Sequence, residues 1–209
     1  MGKFPEFSWD YCFPGDEEGH KITILVGKER RTGMVMAATI PRKGSTGLFA
    51  TQRCLEFINE CGAAEAKMLV KSDTEPAILA LVSDIKKARV GLETIEETSP
   101  VGSSGSNGKV ERAVQSVEGQ LRTMKSALEE KMNRKIQSEK TMVLFRSEYG
   151  GDLWNRLIVG EDGLIKDERV KGKKASVLAV EFGEKLLYKI KPKNKLEKLN
   201  SPMGNTAFS

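Results

Sequence analysis

The 209 residues carry 39% hydrophobic and 30% charged side chains, a balance that fits one globular domain with an appendage. No apolar run approaches the roughly 20 residues of a membrane span, the N-terminus has no apolar signal core, and a lone histidine, His20, rules out a His/Cys zinc site. The net charge of +5 comes from one end: residues 1–165 hold 23 Lys/Arg against 24 Asp/Glu, while 166–198 hold 11 against 5. Such a stretch is a footprint for a polyanion, or a tail that only solubilises. Cys12, Cys54 and Cys61 are odd in number and lack metal-ligand spacing, so they are read as buried free thiols in a reducing, intracellular setting.

In chain order, Phe4 to Phe13 is dense in aromatics and ends at Pro14-Gly15, which predicts a buried strand. An acid inside it, Asp10, needs either a partner or a place on the exposed face of an edge strand, because an unpaired buried carboxylate is costly. Residues 21–27 and 33–40 then form a hairpin about 28–32. A helix is expected over 47–61 with Gly62 as its cap, a strand over 66–71, and a helix over 77–88. Ser72 and Glu75 match a capping box and Pro76 suits a helix start, so neither Ser72 nor Glu75 needs a functional role. Asp73 stands beside them at the C-terminal end of a strand, where open α/β sheets place ligands.

A fifth strand is predicted over 90–95, followed by a Gly/Ser-rich loop at 102–108. Val110, Val114, Val117, Leu121, Met124 and Leu128 recur in steps of four and three, the stripe of a long helix ending near Asn133. Glu111 sits at the edge of that stripe in the first turn. It is either a solvated acid favoured by the helix dipole or a side chain looking into a cleft. The region 141–151 is ambiguous, 152–158 suits one or two helical turns, and 160–163 is a turn. Residues 175–182 and 185–190 are β-like and read as a hairpin, while 199–209 reads as a frayed end. Three strands, helix, strand, helix, strand and long helix make an α/β mixed sheet with flanking helices, on which Asp10, Asp73 and Glu111 can converge.

Three motifs stand in order: Trp9-Asp10-Tyr11, Ser72-Asp73-Thr74-Glu75-Pro76 and Asn107-Gly108-Lys109-Val110-Glu111-Arg112. Together they resemble the integrase core of copia-type (Pseudoviridae-like) retrotransposons and, more distantly, retroviral integrases. The resemblance continues through Ala113-Val114-Gln115, Gly172-Lys173-Lys174 and Phe182-Gly183-Glu184-Lys185. It implies a ribonuclease H-like mixed five-stranded sheet over 1–155 as catalytic core, with a basic segment carrying a small β-hairpin over 156–209. It also implies a Mg²⁺-dependent (or Mn²⁺-dependent) DNA strand transferase and endonuclease. In that reading Asp10, Asp73 and Glu111 hold two ions, with no zinc, and Asn107, Lys109, Arg112, Lys171, Lys173 and Lys174 contact DNA.

The implied partners are retrotransposon ends and target duplex, with a homo-oligomer as the active form, no membrane, and a nuclear site of action after a cytoplasmic stage. The family's zinc module does not precede Asp10, and the stretch before Gly160 looks compressed, so the chain reads as a piece of a polyprotein or a decayed copy. A ribonuclease H-like nuclease that only hydrolyses, or an inactive relic that binds nucleic acid, are the alternatives. The chemistry has its own rationale: clustered carboxylates repel unless cations neutralise them, and oxygen-only donors favour Mg²⁺ or Mn²⁺.

Overall fold

A computed structural model describes residues 4–15, 21–44, 48–98, 108–136, 141–174, 184–189 and 203–207, with backbone alone at 141–146, 185–189 and 203–207. The elements are β1 (Glu6–Cys12), β2 (Thr23–Glu29), β3 (Val35–Ile40), α1 (Leu48–Glu60), β4 (Met68–Ser72), α2 (Pro76–Ala88), β5 (Thr94–Thr98), α3 (Gly108–Met132), α4 (Thr141–Leu157), α5 (Lys166–Lys171), β6 (Lys185–Lys189) and β7 (Met203–Ala207). The first five strands form one sheet in the order β3-β2-β1-β4-β5. The β1–β2 and β2–β3 pairs are antiparallel, while β4 and β5 join in parallel, giving the mixed five-stranded sheet expected from the sequence.

Alternation along β1 sets the layers. Phe7, Trp9 and Tyr11 point to one face and pack with Phe57 and Cys54 of α1 and with Ile78, Leu81 and Ile85 of α2. Cys12 points to the other face, where Ile24, Val26, Val35 and Ala37 meet Ala113, Val117, Leu121 and Leu128 of α3 and Trp154 of α4. Burial raises all three thiols, Cys12 to about 12, so they are inert side chains of the core.

Local chemistry accounts for the boundaries. Gly62, at φ +70°, donates to Asn59 O while Ala63 donates to Ile58 O, which closes α1 as expected. Asn133, at φ +49°, ends α3. Two readings need correction. The fifth strand is Thr94–Thr98 rather than 90–95: Leu92 donates to Arg89 O across a turn with Gly91 at φ +80°, and Val90 is exposed in it. Buried Arg89, not the apolar Val90, anchors that turn, donating to Ala63 O, Ala64 O, Ala66 O and Thr94 Oγ1. The capping box of Ser72 and Glu75 does not form either. Ser72 ends β4, Glu75 itself is the N-cap, and the Asp73 carboxylate accepts from Glu75 N–H at 3.1 Å.

Beyond α3, the ambiguous 141–151 region is helical and continuous with 152–157 as α4. α4 lies against β3, and Asn155 completes that edge strand by accepting from Val35 N–H at 2.9 Å and donating to Val35 O at 2.7 Å. A further helix, α5, was not read from the sequence. Its Arg169 donates to Thr32 O and ion-pairs with Asp162, and its buried Lys166 donates to Trp154 O and lies over the Trp154 ring. Burial, with Lys28 and Arg169 nearby, lowers Lys166 to about 7. The C-terminal hairpin expected from 175–182 and 185–190 is not seen. Residues 175–183 lie outside the described residues, and Lys185–Lys189 pairs antiparallel with Met203–Ala207, in the stretch read as a frayed end.

The tightest constraint in the sheet is opposite Trp9, whose register partner is Gly27. A Cβ on Gly27 would stand 2.3 Å from Trp9 Cζ3, and Trp9 is fully buried with no room to swing. Gly27→Ala is therefore expected to destabilise the domain by about 1–3 kcal/mol. Urea unfolding followed by Trp fluorescence checks this, with Gly62→Ala, where nothing lies within 4 Å of the added carbon, reporting the cost of backbone strain alone.

Candidate active site

The two aspartates are positioned by strand register. In the parallel β1–β4 pair Ser8 lies opposite Lys71. Continuing that register two residues sets Asp10 abreast of Asp73, just past the last paired residue, where β4 gives way to the turn before α2. Asp10 alternates with Ser8 and Cys12 and so faces the layer of α3, whose first turn carries the exposed Glu111.

The electrostatics reflect the same arrangement. Asp10 is half-buried, and its carboxyl is raised above its ordinary 3.8, chiefly by burial and further by the charges of Asp73, Glu75 and Glu111. The Tyr11 N–H, at 2.7 Å, is the one opposing hydrogen bond. Among the described residues no Lys or Arg pairs with Asp10. An ionised carboxylate held in this way, facing three others, is short of positive charge. The donors are all oxygen, which fits Mg²⁺ or Mn²⁺. As they stand, however, no three His, Cys, Asp or Glu side chains among the described residues are grouped closely enough to hold an ion. The acids repel one another across a space they do not yet enclose.

Glu75 is the residue that the sequence reading missed. It was absorbed into a helix cap, yet its charge reaches Asp10 and its carboxylate pairs with Lys43 from the β3–α1 loop. A second acid two residues after Asp73 in Ser72-Asp73-Thr74-Glu75 is the available signal. Of the expected DNA-contacting residues, Asn107 lies outside the described residues. Lys109 and Arg112 are exposed on the first turns of α3, Lys109 near enough to Lys28 to disfavour its charge. Lys171, Lys173 and Lys174 are exposed at the end of α5, with Lys171 paired to Asp167 at 2.6 Å.

No protein-family model matches the chain, and no curated protein matches it in sequence. Solved structures do match in shape. The HTLV-2 integrase catalytic core domain in complex with magnesium superposes with a TM-score of 0.58 at 14% identity, over 81% of this chain and 99% of that one. The simian T-cell lymphotropic virus intasome in complex with PP2A regulatory subunit B56 gamma gives 0.59 at 16%, over 91% of this chain and 65% of that one. The catalytic core of BIV integrase gives 0.53 at 20%, over 79% and 93%. The chain has the fold of a retroviral integrase catalytic core. At these identities the likeness is of fold alone, and the integrase-core fold leaves the roles of individual residues to their own chemistry.

The raised Asp10 carboxyl gives that chemistry a readout. Because the folded state holds the proton more tightly than the unfolded chain, stability falls as pH rises through and above 3.8 to the folded-state value. Asp10→Asn is expected to raise the Tm of the metal-free protein at pH 7, with the gain vanishing below pH 4. Calorimetry across pH 3–8 checks this, and a Tm that falls at pH 7 would show that the carboxylate is already compensated.

Proposed function

We propose that this chain is the catalytic core of a copia-type retrotransposon integrase, a metal-dependent polynucleotidyl transferase that processes DNA 3′ ends and joins them to target DNA. The observation that carries this reading is the placement of Asp10 beside Asp73 at the end of parallel strands, with the charge of Glu111 reaching Asp10, on an integrase-core fold.

Asp10 would hold both ions, Asp73 one and Glu111 the other. Bound there, Mg²⁺ or Mn²⁺ would offset the carboxylate repulsion and lower the barrier to in-line displacement at phosphorus. The residues do the rest. Asp10 and Asp73 stand side by side where two adjacent parallel strands end, while Glu111 approaches on the first turn of α3. The same helix start carries Lys109 and Arg112 at the positive end of the helix dipole, an arrangement that favours a phosphate and would orient the DNA backbone across the acids. Asn107, next to them in sequence, would join that contact. The attacking oxygen is water in end-processing and a DNA 3′-hydroxyl in strand transfer.

Structures of the HTLV-2 core in trimeric and dimeric forms support self-association, and the likeness to an intasome chain is in keeping with DNA as partner. The retrotransposon context and a nuclear site of action belong to the same proposal.

Strand transfer of a labelled DNA end into plasmid, assayed with Mn²⁺, tests the reading. Asp73→Asn should reduce product to background while leaving the fold intact, and excess chelator should do the same. Product that persists in chelator would sink the metal mechanism. Hydrolysis of the DNA without joining would favour the nuclease.

The contacts of the basic stretch can be read from salt dependence. Lys173 and Lys174 are exposed beyond α5 and have no ion-pair partner among the described residues, so replacing both by Ala should spare the fold. If each contacts a phosphate, the slope of log K against log salt should lessen by about 0.9 per residue. Fluorescence anisotropy with a duplex at several salt concentrations measures this, and an unchanged slope removes these two lysines from the interface.

A further inference from the structure

The β3–α1 loop is tied to the chain on both sides of the paired aspartates. Gly44 N–H donates to Tyr11 Oη at 3.0 Å, and Tyr11 follows Asp10. Lys43 ion-pairs with Glu75, whose own N–H is held by the Asp73 carboxylate. The Lys43 ammonium also lies 4.5 Å from the centre of the Phe13 ring and 5.6 Å from that of Tyr11, so its stem is guided along the end of β1. Gly44, at φ +83°, brings the loop over the start of α2, where an added Cβ would stand 3.9 Å from Ala77 Cα. One short loop thus touches the end of β1 and the start of α2 at the point where the β1–β4 ladder has stopped and no backbone bond holds the two together.

We propose that Lys43 is a positioning residue: its ion pair with Glu75, together with the Gly44–Tyr11 bond, braces the end of β1 against the start of α2 and so holds the spacing of Asp10 and Asp73. The functional side of the proposal rests on reading those two aspartates as one metal-binding site. The brace itself does not.

The brace and simple charge effects predict opposite signs. Removing a cation beside four carboxylates should tighten divalent binding on Coulomb grounds alone. If Lys43 braces the site, Lys43→Met should instead weaken Mn²⁺ binding, by about tenfold, which corresponds to roughly 1.4 kcal/mol. Lys43→Arg should restore it. Glu75→Gln cuts the same pair from the other side, so it should match Lys43→Met, and the double variant should be no worse than either.

Two measurements on the full chain decide the matter. Hydrogen exchange in the metal-free protein should show the Gly44 and Glu75 amides exchanging at least several-fold faster in Lys43→Met and recovering in Lys43→Arg. Mn²⁺ titration followed by electron paramagnetic resonance should then show the weakened binding. Unchanged exchange overturns the brace, as does Mn²⁺ binding that is equal or tighter in Lys43→Met. A loss confined to Glu75→Gln overturns it too, since that carboxylate would then hold the ion directly. A wild-type chain that binds no Mn²⁺ sinks the two-metal reading, and hydrogen exchange still decides the brace.

Discussion

The whole sheet depends on how β1 is held at its centre. It is the one strand with an antiparallel neighbour on one side and a parallel neighbour on the other. Its Phe7 and Trp9 rings stack 6.1 Å apart and both meet Phe57 of α1 edge-on, which binds the strand to a helix as well as to its neighbours. The indole fits because Gly27 opposite has no side chain. That vacancy lets a large ring lie flat on the sheet and bury itself completely, and burial of a ring this size is among the largest single contributions a core residue makes. Two adjacent registers are thereby fixed together, and the position of Asp10 follows from them.

The candidate site divides into a stiff part and an adjustable part. Asp10 and Asp73 stand just beyond the last hydrogen-bonded pair of β1 and β4, on backbone restrained by that neighbouring ladder and by the Lys43–Glu75 and Gly44–Tyr11 contacts. Glu111 inherits its position from a helix that packs on the sheet through Val110, Ala113 and Val117. Sliding or tilting α3 moves Glu111 without disturbing the two aspartates. The two aspartates and the helix-borne acid therefore belong to separately packed elements.

Much of this was legible in the sequence because the strong signals were periodic. The stripe from Val110 to Leu128 read as a helix and is one, and the aromatic run ending at Pro14-Gly15 read as a buried strand. Where the expectations fail, either polar residues do the work of apolar ones or the partner lies far along the chain. The strand expected from residue 90 starts only at Thr94, because the buried Arg89 guanidinium finds four oxygen acceptors and anchors a turn there. Lys-Asp-Glu-Arg in 166–169 read as a charged run, yet Lys166 and Asp167 are buried and Glu168 accepts from the Ile165 N–H to start α5. Glu75 had a sufficient local explanation, so its tertiary partner Lys43 was invisible from the sequence. For β6, the partner strand lies some twenty residues downstream, and no local pattern could indicate it.

The lysine wedged between the Trp154 ring and backbone oxygen has a consequence for α5 as a whole. Free in solution its ammonium keeps its proton up to about pH 10, whereas docked it is held near 7. Seating the helix therefore expels a proton at any pH between those values, and the seated state gains on the unseated one as the medium becomes more alkaline. Below neutrality that gain is gone, and Lys166 shares its charge with Lys28 and Arg169 in a confined space. The contacts of α5 between the β2–β3 turn and the end of α4 therefore favour the folded chain more in alkaline than in acidic medium.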